Sequence, residues 1–179
     1  MVAPRPDLKI EALAPHHDRD AHHDRDGFSC GVDSLDRYLR TQAGQDVRSK
    51  ANGVFILVEP DNRNVVLGYY TLCATALAQG DVPIAARKHI PRYPLVSATL
   101  IGRLAVSKTR QGERLGAMLL ADAVRRAYAS AVTVGSSMLV VDAISERAAA
   151  FYEGNGFVRL PESLRLVLPM HTIQQLVKP

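Results

Sequence analysis

Apolar and polar positions along the chain alternate between strand-like and helix-like periods, and the points of change outline the elements. Leu8 to Leu13 and Val54 to Glu59 read as strands, and Val65 to Ala74 as a third, joined to its predecessor by the turn residues Pro60, Asp61 and Asn62. Between them Leu35, Tyr38 and Leu39 recur at helical spacing. Asp33, with Asp36 three positions later, has the form of an N-cap and its capping-box partner, and Arg37 and Arg40 fall off the apolar stripe. Further on, Ser97 to Val106 predicts a strand. Glu113 to Ser130 predicts a long helix that turns Leu119, Leu120, Ala123, Val124 and Ala127 toward the sheet, and Met138 to Ala143 predicts a buried strand. Ser145 predicts the cap of a short helix carrying Tyr152, while Phe157 to Leu160 and Leu164 to Leu168 predict a closing hairpin. The alternation argues for an α/β chain: a mixed sheet with helices on both faces.

Composition fits one domain over residues 1–179: at this length, with 47% hydrophobic residues, the chain fills one core and is short for two. The longest uncharged run, Val65 to Gly80, is too short for a bilayer span. The start MVAPRPDLKIEAL has no apolar core of a secretory signal. Cys30 and Cys73 allow one bridge at most and read as small buried hydrophobes. The expectation is a cytoplasmic protein.

Charge distribution changes the picture more than the net value of +4 does. Between Asp81 and Glu113 there is no acidic residue, yet Arg87, Lys88, Arg92, Arg103, Lys108 and Arg110 fall in that window, with His89 as a further donor. Taken singly each reads as a solvated surface residue. As a set they suit a phosphate-rich partner, and the preponderance of arginine suits phosphate geometry. The tandem HHDRDA-HHDRDG, from His16 to Gly27, places histidines and aspartates together, but identical adjacent copies read as a short duplication in a tolerant loop; no metal site is expected.

The most informative stretch is RLAVSKTRQGERLG, Arg103 to Gly116, a strand followed by a glycine-punctuated loop and a helix start. Amides left free at such a helix start attract anions. A second segment, Ala148 to Phe157, puts Tyr152 on a short helix that stops at Gly154 or Gly156. Together these resemble the GNAT superfamily of N-acetyltransferases, which implies the GNAT fold with a mostly antiparallel central sheet. The family loop maps onto Gln111, Gly112, Glu113, Arg114, Leu115 and Gly116, which the resemblance implies cradle the pyrophosphate of acetyl-CoA. Arg114 stands where the middle glycine is usual, so it either keeps helical dihedrals or turns its guanidinium to the phosphates. The resemblance further implies that backbone groups of Leu104, Ala105 and Val106 hold the pantetheine and polarise the thioester, that Ser145 lines the cofactor site, and that Tyr152 is the general acid toward the departing sulfur. Tyr152 also fits an apolar helix face with Ala148 and Phe151.

No residue declares itself a general base; Glu146, Asp142 and His89 are the candidates, each with a plain structural reading beside it. An α-amine, with a pKa of about 7.7–8.0, needs a base far less than a lysine amine near 10.4, which tilts the acceptor toward an α-amine.

A narrower likeness rests on Phe28-Ser29-Cys30-Gly31, Leu35-Asp36, Tyr38-Leu39, Gly68-Tyr69-Tyr70-Thr71-Leu72, Gly102-Arg103-Leu104-Ala105-Val106 and Phe151-Tyr152-Glu153. These resemble the GNAT toxins of bacterial type II toxin-antitoxin systems. The likeness implies acetylation of the α-amino group of charged tRNA, arrest of translation, neutralisation by a ribbon-helix-helix antitoxin, contact with operator DNA only through that antitoxin, and a tendency to homodimerise. Arg87, Lys88, Arg92 and Arg103 are then the expected tRNA contacts. Two other readings stand beside it: a GNAT acetylating a small amine or a protein N-terminus, and an inactive cofactor-binding co-repressor subunit.

Overall fold

The computed structural model describes residues 7–13 and 23–177, so the first histidine-aspartate copy and His22 lie outside the described residues. The elements run β1 (Lys9–Ala12), α1 (Asp33–Thr41), α2 (Ala43–Ser49), β2 (Gly53–Val58), β3 (Gly68–Ala78), β4 (Leu95–Val106), α3 (Leu115–Val134), β5 (Met138–Asp142), α4 (Glu146–Gly154), β6 (Val158–Arg159), β7 (Arg165–Pro169) and α5 (Met170–Val177). The strands form one seven-stranded sheet in the order β1-β2-β3-β4-β5-β7-β6. β4 and β5 run parallel, with Ala98 opposite Met138; β1/β2, β2/β3, β5/β7 and β6/β7 are antiparallel. This is the mixed, mostly antiparallel sheet that the resemblance implies.

The chain divides into two compact units, Met1–Leu72 with Arg103–Asp122, and Cys73–Gly102 with Ala123–Pro179. In the first, adjacent tyrosines on β3 fix which helix covers which face. Neighbouring strand residues project to opposite sides. Accordingly the Tyr69 hydroxyl donates to the Leu35 carbonyl of α1 at 2.7 Å, while the Tyr70 hydroxyl donates to Asp122 of α3 at 2.6 Å. Both tyrosines are fully buried. On the α1 face, Leu35, Tyr38 and Leu39 meet Val54, Ile56, Val58 and Ala105, the stripe the helical spacing predicts. Gly68, two residues before Tyr70, projects toward α3, where a Cβ would lie 2.8 Å from the Ala105 carbonyl oxygen and 2.9 Å from Leu119 Cδ1.

Local chemistry moves several predicted boundaries. Val32, not Asp33, precedes the first turn of α1, and no side chain caps it. Asp36 is buried and turns back instead, accepting from the Cys30 amide at 2.8 Å and the Ser29 hydroxyl at 3.2 Å. Val65 makes a single parallel bridge with Asp24 rather than opening the strand, which begins at Gly68. That bridge, with buried His23 on Glu11 at 2.9 Å and the Arg25 guanidinium donating to the Leu39 carbonyl at 3.4 Å, anchors the end of the second repeat copy to the first unit. The helices α2 and α5 have no counterpart among the predicted elements.

In the second unit one face of β5 sets Met138 and Val140 against Leu77, Val96, Ala98 and Val167, and Val82, Ala86 and Ile90 from the proline-rich loop join the same cluster. α4 packs on β6 and β7. Arginine forks close this unit's edges: Arg165 on Asp142 at 2.7 and 2.9 Å, and Arg159 on Glu146 at 2.7 and 2.8 Å.

Gly68→Ala is expected to destabilise the chain by about 1–3 kcal/mol, because the backbone carbonyl in its way has nowhere to move; denaturant unfolding of the two proteins checks this.

Candidate active site

The loop expected to bind an anion lies in the first unit. β4 pairs with β5 over Ala98 to Ile101, and that ladder stops before Leu104, Ala105 and Val106. Ser107 then donates its amide to the Leu67 carbonyl at 2.8 Å and Lys108 to Ser29 at 2.8 Å, which turns the chain into the loop. The Gln111 side-chain amide donates to the carbonyls of Cys30 at 3.0 Å and Val106 at 3.2 Å. Gln111 therefore braces the loop with its side chain. Gly112 has φ +86°, and a Cβ there would meet nothing. Arg114 adopts φ +61°, the left-handed region. Of the two options open for it, helical dihedrals are excluded: the loop keeps a glycine's conformation with an exposed arginine in place. The cost is about 1–2 kcal/mol.

Met118 makes an early helical bond, to the Arg114 carbonyl at 3.2 Å. The amides of the first turn, Leu115 and Gly116 among them, have no acceptor within their own helix and carry the positive end of its dipole. The Leu115 side chain is buried, leaving its amide as the group available to a ligand. Glu113, the acid nearest this amide cluster, is paired at 2.8 Å with Arg110, which also holds Glu59 at 2.8 Å. That pairing offsets a charge that would repel phosphate. An open, glycine-shaped cradle with unpaired amides and its one acid neutralised fits the pyrophosphate of acetyl-CoA.

The second unit carries Tyr152. Ser145, the N-cap of α4, accepts from the Ala148 amide at 3.1 Å, as the sequence predicts; its hydroxyl hydrogen is left over for another partner. About two turns on, Tyr152 is 6% exposed, edge-on to Phe151 at 5.1 Å and to Phe157 at 5.6 Å. Burial pushes its phenol up to about 12. Tyr152 thus combines the apolar packing of a core residue with a hydroxyl that stays protonated across the physiological range.

The acids proposed as bases are committed elsewhere. Glu146 is clamped by Arg159, whose guanidinium holds its carboxyl below the ordinary range, and Asp142 is clamped by Arg165. The His89 ring is stacked on His171 at 3.7 Å between centroids, and slight desolvation, His171 and Lys88 hold its pKa down.

The basic window is divided between the two units. Arg87, Lys88 and Arg92 belong to the second unit and Arg103, Lys108 and Arg110 to the first. Arg87 spends its guanidinium on the carbonyls of Val82 at 2.6 Å and Gly80 at 2.9 Å, and Arg110 is ion-paired; Lys88 and Arg92 are exposed. Arg103 lies over the Tyr38 ring, 3.5 Å from its centroid. Sequence reasoning missed what holds it: the Tyr38 hydroxyl donates to buried Asp46 at 2.8 Å. No pattern in the sequence marks a lone aspartate on a short helix as buried.

No protein-family model matches the chain. It is 34% identical over 165 residues to a tRNA-acetylating toxin of Mycobacterium tuberculosis (strain ATCC 25618 / H37Rv), covering 92% of this chain and 96% of that one. Among solved structures it is similar to AtaT complexed with acetyl-methionyl-tRNAfMet, at TM-score 0.85 and 32% identity over 96% of this chain and 100% of that one. A tyrosine-to-phenylalanine variant of AtaT, bound to the C-terminus of the antitoxin AtaR and to acetyl-CoA, aligns at TM-score 0.80 and 30% identity over 97% and 99%. An AtaT-AtaR complex bound to DNA aligns at 0.73 and 28%, over 95% and 99%. The likeness, with the sheet order and the loop ahead of α3, defines a GNAT N-acetyltransferase. The chain belongs to the family of tRNA-acetylating toxins.

Arg114→Gly removes the left-handed strain and is expected to raise stability by up to about 1 kcal/mol, the relief being partly offset by glycine's greater unfolded-state entropy; a thermal melt of the two proteins measures it.

Proposed function

We propose that this chain is an acetyl-CoA-dependent toxin that acetylates the α-amino group of aminoacyl-tRNA and so blocks peptide-bond formation. The observation that carries this reading is the match, over 96% of its length, to a toxin structure holding acetyl-methionyl-tRNAfMet. Residues 1–179 are read as one acetyltransferase domain, since β3, β4 and α3 each run from one compact unit into the other. The site of action is the cytoplasm, where charged tRNA is; among the described residues no helix is long and apolar enough to cross a membrane. A ribbon-helix-helix antitoxin neutralises the toxin and carries it to operator DNA, in keeping with the similar complexes of AtaT with AtaR and DNA.

Bound acetyl-CoA supplies the acetyl thioester; in the overall reaction a C–N bond replaces the C–S bond and one proton passes from nitrogen to sulfur. Amides of Gly112 to Gly116 take the pyrophosphate, and Gln111 holds that loop against the end of β4. A backbone amide among Leu104, Ala105 and Val106 polarises the carbonyl, because these residues lie beyond the β5 ladder. Tyr152 holds the proton for the sulfur. With its phenol near 12, it works as a hydrogen-bond donor that stays protonated, not as a group that ionises ahead of the reaction. The commitment of Glu146 and Asp142 to arginines agrees with an acceptor that needs no strong base. Lys88 and Arg92 are exposed for tRNA phosphates.

Transfer of labelled acetyl from acetyl-CoA to a pool of aminoacylated tRNA tests the reading. Tyr152→Phe, which deletes one hydroxyl, is expected to lower kcat by about 10²–10⁴-fold; wild type should arrest growth without its antitoxin and the variant should not. Label on peptide N-termini or small amines, with none on charged tRNA, moves the acceptor to that class, and failure to bind acetyl-CoA removes every enzymatic reading. The pH profile of kcat/KM should rise through the α-amine's pKa, below about 8, and stay level past pH 10, since Tyr152 ionises only near 12. A descending limb between pH 8 and 10 would contradict Tyr152 as the proton donor.

A further inference from the structure

Arg103 is held in place with its hydrogen-bonding fork unspent. Its guanidinium is stacked on Tyr38 and its charge helps hold the buried Asp46 carboxyl below the usual range, yet among the described residues nothing accepts a hydrogen bond from it. Stacking on an aromatic face restricts an arginine's rotamers while its planar N–H fork remains open at the edge. The platform is itself braced. Asp46, 8% exposed, accepts from the Tyr38 hydroxyl at 2.8 Å, from Gln42 at 2.9 Å and from Asn52 at 2.8 Å. Burying a carboxylate is costly even with such partners, and an apolar residue would fill the same space. What the carboxylate adds is a fixed ring under the cation and a negative charge that attracts it directly.

Position gives this a purpose. Ala105 lies in the apolar cluster with Tyr38 and Leu39, so Arg103, two residues earlier on β4, projects from the same face of the strand. It precedes Leu104, Ala105 and Val106 by one to three residues, about 3–10 Å along the strand. In aminoacyl-tRNA the α-amine is separated by one ester and one ribose from the phosphate on the 5′ side of the terminal adenosine. An amine presented to a thioester on those amides brings that phosphate with it, at a short and fixed span.

We propose that Arg103, set on Tyr38 by Asp46, binds the phosphate 5′ to the terminal nucleoside of the acceptor, so that this single phosphate separates aminoacylated RNA ends from free amines and peptides. The proposal rests on the aminoacyl-tRNA reading above and adds to it the group that is recognised nearest the reacting amine. Arg103 makes the contact; Tyr38 and Asp46 are positioning residues. Lys88 and Arg92, exposed on their loop, have no such brace and fit general attraction to the nucleic acid.

The test uses two minimal acceptors, the aminoacyl ester of adenosine and that of adenosine 5′-monophosphate, and reads the ratio of their kcat/KM values. For wild type the phosphate should raise kcat/KM by about 10- to 100-fold, the size of a charge-assisted, bidentate contact. In Arg103→Ala the ratio should fall to near one, and in Arg103→Lys it should be intermediate, because charge is kept and the fork is lost. Tyr38→Leu should lower the ratio toward that of Arg103→Ala with Arg103 still present. A merely structural loss depresses both acceptors alike and cancels in the ratio. A ratio near one in wild type, or one unchanged in Arg103→Ala, overturns the proposal. A raised KM for acetyl-CoA with an intact ratio also overturns it and gives Arg103 to the cofactor's phosphates instead. If wild type acetylates neither ester but does acetylate a peptide N-terminus, the tRNA reading fails, and this proposal with it.

Discussion

Two neighbouring phenols on β3 set the frame of the first unit. Tyr69 and Tyr70 are fully buried on opposite faces of one strand, and a buried hydroxyl without a partner costs about 1–3 kcal/mol. Each finds its partner on a helix: Tyr69 on the Leu35 carbonyl of α1, Tyr70 on Asp122 of α3. The two bonds fix helix positions on both sides of the sheet at once. Every later feature of this unit, from the bracing of Arg103 to the start of α3, is measured from those positions. Burial also raises the Tyr69 phenol well above its usual value, so it remains a donor at any pH the protein meets.

The loop between β4 and α3 shows strain placed beside function. Arg114 holds a left-handed conformation that glycine adopts without cost, and the surrounding contacts keep it there: Gln111 ties the loop to two carbonyls, Arg110 to two carboxylates. The arrangement leaves the helix-start amides exposed and neutralises the nearest acid. An anion site of this kind would depend on backbone geometry more than on side-chain identity, and the loop keeps a left-handed conformation at Arg114 with one of its usual glycines replaced.

Arginine does three separate jobs in this chain. Arg110, Arg159 and Arg165 are structural forks on carboxylates, Arg87 secures loop carbonyls, and Arg103 is stacked and open. A count of basic residues in a window treats these alike. Only the open ones remain for a phosphate-rich partner, and the ion-paired acids are at the same time withdrawn from acid-base chemistry. The expectation of an acceptor that needs no strong base gains its physical support from those pairs.

The sequence by itself determined the succession of strands and most helices, the Ser145 cap, the closing hairpin, the loop ahead of α3 and the helix carrying Tyr152 after β5, because these rest on local period, turn residues and short motifs. It missed α2, where few apolar positions give a short helix no clear stripe, and α5, although Met170, Ile173 and Leu176 recur there at helical spacing; it placed the α1 cap one residue late because Asp36 finds a better partner behind the helix than within it. Tertiary structure alone decided that Arg114 goes left-handed, that the basic window splits between two units, that Glu146 and Asp142 are bound to arginines, and that Asp46 is buried beneath Tyr38. Each depends on groups distant in sequence: Arg103 meets Tyr38 across sixty-five positions, and Arg110 meets Glu59 at a separation of 51. Local pattern carries the elements because hydrogen-bonding period is a near-neighbour property; the partner of a charge is settled only when the fold brings the opposite charge to it.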